Sequence, residues 1–150
     1  MDLVIEGLPL PGIPEILGGM NVKATDFTWH VADVEASVWP KHFDDCWVSG
    51  ADLIAAWVPG ETCFTWGVLD AFPRADAVEV TKLPHADGNN SFWTGLPLLP
   101  QLEGAVFEIV FWDSSAVLLI GLNDEQAASL MAGFPHAKRL NGTMTYQERD

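Results

Sequence analysis

Positive charge is scarce in this chain: seven Lys and Arg stand against twenty-one Asp and Glu in 150 residues, a formal −14 at neutral pH. A nucleic-acid binder needs a basic stripe to meet phosphates, and none is visible, so nucleic acid is not an expected partner. The same field repels anionic membrane surfaces. Cysteine is scarce too. Cys46 and Cys63 make no disulfide framework, and the chain is read as a cytoplasmic protein with reduced thiols. Long apolar runs are missing: stretches such as "AVLLIGL" are strand-sized, far below the roughly 20 residues of a membrane span. The opening "MDLVIEGLPLPG" has neither a basic start nor a long apolar core, so no secretory signal is expected.

What is present is core material. Hydrophobic residues make up 49% of the chain, with seven tryptophans, too much for a disordered polymer. A domain of this length buries about two thirds of its unfolded surface, so residues 1–150 are read as a single domain. The negative charge is uneven. Asp26, Asp33, Glu35, Asp44, Asp45, Asp52, Glu61 and Asp70 share their stretch with one base, Lys41. Solubility alone would account for the net charge, while its concentration in one segment points to a functional face.

Pro14 suits the first turn of a short helix through Leu17, with Gly18 and Gly19 as its stop. Phe27, Trp29 and Val31 alternate with polar Thr28 and His30, and Val34, Ala36 and Val38 alternate with Glu35 and Ser37. This predicts two half-buried strands joined as a hairpin near Asp33, the second ended by Pro40. "WPKHFDDCW" follows as a loop. Ser49 as N-cap with Asp52 at N3 predicts a helix whose stripe is Leu53, Ile54 and Trp57, ended by Pro59-Gly60. "CFTWGVLDAF" is another strand, and residues 84–100 are mostly loop. "AVFEIVFWDSSAVLLIGL" reads as a hairpin of two strands buried on both faces. "NDEQAASLMAGF" is a helix with Asn123 as N-cap, Gln126 completing a capping box, and Gly133 at its end. A last strand is placed around Met144–Gln147. The fold class is therefore α+β: an antiparallel or mixed sheet of about five or six strands with two main helices packed on it.

No reaction announces itself. His42 and Cys46 could form one metal-ligand pair, but Cys63, His30, His85 and His136 stand alone, so no metal is expected. No cofactor is expected either: glycine-rich phosphate loops are absent, as is the G-x-S-x-G elbow. Cys63 opens an apolar strand, where burial would leave its thiol inert. Glu108, inside "AVFEIVF", must be paired or neutral if it is buried; the favoured expectation is that it points outward at a sheet edge or pairs with a base such as Lys82. With no catalytic residues expected, the acids and aromatics of the quoted loop read as a docking face for a basic protein partner. That face comprises Asp33, Glu35, Asp44, Asp45 and Asp52, with Trp39 and Trp47 as candidate anchors.

The order of "DFTWHV", "DLIAAW", "LDAFP" and a final hairpin with "NDEQAASLMAGF" resembles an uncharacterised group of small bacterial cytoplasmic proteins. In size and acidity the chain is similar to the immunity proteins of bacterial toxin systems. That resemblance implies a non-enzymatic inhibitor that occludes a basic cognate toxin, such as a nuclease. The alternatives are a small enzyme using His42 with Asp44 or Asp45, and a self-associating assembly component.

Overall fold

The computed structural model describes residues 1–74 and 77–140. Seven strands run through it: β1 (Leu3–Glu6), β2 (Phe27–Ser37), β3 (Cys46–Ser49), β4 (Cys63–Pro73), β5 (Phe107–Trp112), β6 (Ala116–Ile120) and β7 (Lys138–Arg139). They form one sheet in the order β3-β2-β4-β5-β6-β1-β7, and every pairing is antiparallel. Three helices accompany it: α1 (Ile13–Gly19), α2 (Gly50–Ala56) and α3 (Asp124–Gly133). The α+β class holds, with seven strands where five or six were expected. The strand expected at Met144–Gln147 lies outside the described residues.

Two of the differences have clear physical origins. The stretch read as a hairpin near Asp33 is a single strand, β2, interrupted by a β-bulge. Its register against β4 shifts between Ala32 and Ala36, and Asp33 takes a left-handed φ of 53°. The bulge inserts an odd residue, so the apolar series Trp29, Val31 resumes one step out of phase at Val34, Ala36 on the same face. A phase slip therefore signals a bulge as readily as a turn. The second difference is β1, which has no alternation because it is central: Leu3, Val4 and Ile5 are all buried, between β6 and β7. Likewise Cys46 and Trp47, read as loop, begin the edge strand β3, and α1 runs through both of its glycines.

The caps behave as their sequence suggests. Ser49 Oγ accepts the Asp52 N–H at 3.1 Å, and Asn123 and Gln126 exchange reciprocal bonds at α3.

The two sheet faces carry separate cores. On one, Leu3, Val31, Leu69, Ile109 and Leu119 pack under Ile13, Ile16, Leu53, Ala127 and Leu130 from the three helices. On the other, Val4, Val68, Val110, Leu118 and Ile120 pack under Ala86, Phe92 and Trp93. The second cover is residues 84–102, irregular except for a 3-10 turn at Asn90–Trp93.

Gly50 and Gly18 make a matched test of close packing. A Cβ at Gly50 would lie 2.0 Å from the Ala24 carbonyl oxygen, a backbone atom that cannot step aside, whereas one at Gly18 meets nothing within 4 Å. Gly50→Ala is expected to lower stability by about 1–3 kcal/mol. Gly18→Ala is expected to raise it by about 0.5–1 kcal/mol, both read from chemical denaturation midpoints.

Candidate functional site

Two polar regions stand out, one at the surface and one inside. The surface region gathers at the β2 bulge and the loop leading into β3. There the chain folds back so that acids supply the hydrogen bonds the bulge removes from the ladder. Asp44 Oδ1 accepts the Val34 N–H at 3.1 Å, and Asp45 Oδ1 lies 3.5 Å from the Asp33 amide nitrogen. Asp33 Oδ2 in turn accepts the N–H groups of Ala86 and Asp87, at 2.8 and 3.0 Å. Asp33, Asp44 and Asp45 are thus brought together, while Glu35 and Asp52 are exposed nearby in sequence. None of these five carboxylates has an ion pair among the described residues.

The two tryptophans are not brought together. Trp39 is half-buried on the helix-covered side, edge-on to Phe64 at 4.9 Å, with its Nε1 donating to the Phe43 carbonyl at 2.8 Å. Trp47 lies on the opposite face, against His30 and Phe72 at 5.2 and 4.9 Å. A small hollow of about 190 Å³ beside Trp39 is lined by Val34, Ala36, Pro40, Lys41 and Asp44. His42 is exposed, its ring edge-on to Phe43, and among the described residues no group of three His, Cys, Asp or Glu could hold a metal. Both cysteines are free. Cys46 Sγ sits 3.2 Å from the His42 carbonyl, and burial pushes its thiol pKa up. Cys63, expected to be buried, is exposed at the start of β4, because the ladder there ends opposite Ser37 at the end of β2.

The interior region was largely missed from sequence. Cross-strand register lines up Trp47, His30, Asp70, Glu108 and Ile120 in one row on the face covered by residues 84–102. Asp70 and Glu108 are both 0% exposed, and His30 is 2% exposed. Glu108 therefore neither points outward nor pairs with Lys82: its neighbour is another acid. Its Oε1 accepts the Gln101 N–H at 2.9 Å, and Oε2 accepts from Gln101 Nε2 at 3.4 Å. No donor from another described residue reaches either Asp70 oxygen, and the group Asp70 faces across the strand pair is the Glu108 carboxyl.

Two carboxyls can bond only if one keeps its proton. Burial, then the Glu108 charge, pushes Asp70 up from 3.8 to about 10. Burial also raises Glu108, while its bonds from Asp70 and Gln101 favour its ionised form. The arrangement places the proton on Asp70, donated to Glu108. Burial lowers the His30 pKa, against a smaller pull from Asp45, so its ring stays neutral at neutral pH. One of the eight acids counted between Asp26 and Asp70 thus adds nothing to the surface field. The signal was readable: "LDAF" and "FEIVF" each carry one acid inside an apolar strand, and two such acids can answer one another.

Two wider hollows lie elsewhere among the described residues. One of about 1160 Å³ runs between residues 5–11 and 133–138, and another of about 520 Å³ lies between Leu8–Pro11 and the Trp57–Phe64 region. No helix among the described residues is long and apolar enough to cross a membrane. Comparison with protein-family models, curated proteins and solved structures finds no match to this chain.

The raised Asp70 makes a signed prediction. The folded chain holds a proton that the unfolded chain releases above about pH 4, so this group's contribution to stability falls as pH rises towards about 10. Asp70→Asn removes the titration. Between about pH 7 and 9 the stability of the variant relative to the parent should rise by about 1.4 kcal/mol per pH unit in urea titrations. The lowered His30 acts below its ordinary value of 6.5, outside that window. A gap that stays constant across it refutes the shared proton.

Proposed function

We propose that this chain is a non-enzymatic acidic binding protein that captures a basic partner, in the manner of an immunity protein blocking a basic toxin such as a nuclease. The observation that carries the reading is the gathering of Asp33, Asp44 and Asp45 at the β2 bulge, with Glu35 two residues on along β2 and Asp52 apart from them past the far end of β3. Asp33, Glu35, Asp44, Asp45 and Asp52 have no ion pair among the described residues, so their field is not cancelled from within. Unneutralised carboxylates steer a cationic protein into encounter and then bond its Arg and Lys side chains. The hollow beside Trp39, with Asp44 on its wall, is the size of a side chain and offers an anchor point. Because Trp39 and Trp47 lie on opposite faces, one flat partner surface would use Trp39 or Trp47, not both.

An enzyme built on His42 with Asp44 or Asp45 finds less support. Asp44 Oδ1 and Asp45 Oδ1 are turned to backbone N–H groups of β2.

Glu35, Asp45 and Asp52 are exposed, which suits them to charge removal. Their combined replacement, Glu35→Gln with Asp45→Asn and Asp52→Asn, keeps each side-chain acceptor and the left-handed φ of 52° at position 45, and is expected to slow association with a basic nuclease toxin about tenfold at low salt, with little effect on folding stability. Stopped-flow rates for the parent should also fall at least about tenfold between roughly 20 and 500 mM salt. Rates indifferent to both changes would sink the reading.

A further inference from the structure

Residues 84–102 have almost no regular structure, yet they cover a whole face of the sheet. Apolar contacts hold their middle: Phe92 and Trp93 lie edge-on to Trp112, at 6.0 and 5.4 Å. Carboxylates hold the rest. Asp33 Oδ2 takes the N–H groups of Ala86 and Asp87, and Asp2 Oδ2 takes that of Leu98 at 2.8 Å while its Oδ1 takes that of Gly121 at 2.9 Å. Glu108 takes the backbone and side-chain N–H groups of Gln101. Gln101 is also the tie between the segment's two ends. Its Oε1 accepts the His85 N–H at 3.0 Å, and its Nε2 lies 3.2 Å from the His85 carbonyl. Of the three fastening carboxylates, only Glu108 is fully enclosed beside a second acid.

We propose that the proton shared by Asp70 and Glu108 is a latch on this cover. With the proton in place, Glu108 holds Gln101 and through it both ends of residues 84–102. Its loss leaves two adjacent enclosed negative charges, each costing several kcal/mol unless water reaches it. Sideways, the route to water is closed by the ladders of β2, β4, β5 and β6. Upward, it is closed only by the cover. The segment therefore lifts while the strands beneath stay paired, baring an apolar face around Val68, Val110 and Trp112. The titratable groups packed about the latch are His30 from β2 and Glu108 from β5, with His85 and Asp87 on the cover beside Asp33. His30 is neutral through the alkaline range and supplies no counter-charge there.

Peptide-level hydrogen exchange at about pH 7 and about pH 10.5, corrected for intrinsic rates, tests the latch. Protection of residues 84–102 is expected to fall at least about tenfold with pH, while residues 107–120 keep theirs. Asp70→Asn should abolish that fall, and Glu108→Gln should do the same if the first variant does not fold. The latch is overturned if residues 84–102 keep their protection, if they lose it together with 107–120, or if a folded variant responds as the parent does. Should neither variant fold, the contrast between the two segments in the parent decides.

Discussion

Every side chain of β5 is buried, on both faces of the sheet, and this is the constraint from which the rest follows. A strand of that kind needs two covers. The three helices supply one, and with them committed the second face must be roofed by chain without regular structure. Such chain leaves backbone N–H groups that its own hydrogen bonds do not satisfy. Here the sheet's acids answer them: Asp33, Glu108 and Asp2 each accept backbone N–H groups from the roof. The acidity of the chain is thus partly structural. Glu108 can serve inside the protein because Asp70 beside it stays protonated and adds no second negative charge.

What could be read in advance followed from local physics. The Ser49 and Asn123 caps, the β5–β6 hairpin and the end of α2 before Pro59-Gly60 depend on residues within a few positions of each other. What could not be read depended on distant partners. Whether the polar side of "TDFTWHVA" meets water or a roof is settled by residues more than fifty positions away, so His30 was assigned to solvent and is enclosed. That a buried Glu108 must be paired or neutral is legible locally, but its neighbour Asp70 is brought beside it only by strand register, so a sheet edge or a basic partner is the favoured expectation from sequence. The bulge at Asp33 is an intermediate case. The phase slip in the apolar pattern is visible in sequence, but a turn and a bulge produce the same slip, and only pairing with β4 separates them.

The surface acids and the enclosed ones divide the work. Asp44 and Asp45 stitch the β3 approach to the bulge, Asp33 reaches across to the roof, and all three lack ion pairs among the described residues. Their carboxylates are consequently held in place before any partner arrives, which lowers the ordering cost of meeting a cationic surface. The proposed capture of a basic protein draws on that preorganisation. The roof and its latch lie beneath, joined to the acidic end through Asp33.

The roof and its fastening turn on one proton enclosed between Asp70 and Glu108. Carbon-13 NMR of the side-chain carboxyls, followed from about pH 4 to about pH 11, observes it directly. The carboxyl resonance of Asp70 is expected to remain in its protonated position through neutrality and to move only near pH 10. Both carboxyls titrating together near pH 4, as they would in water, would contradict it.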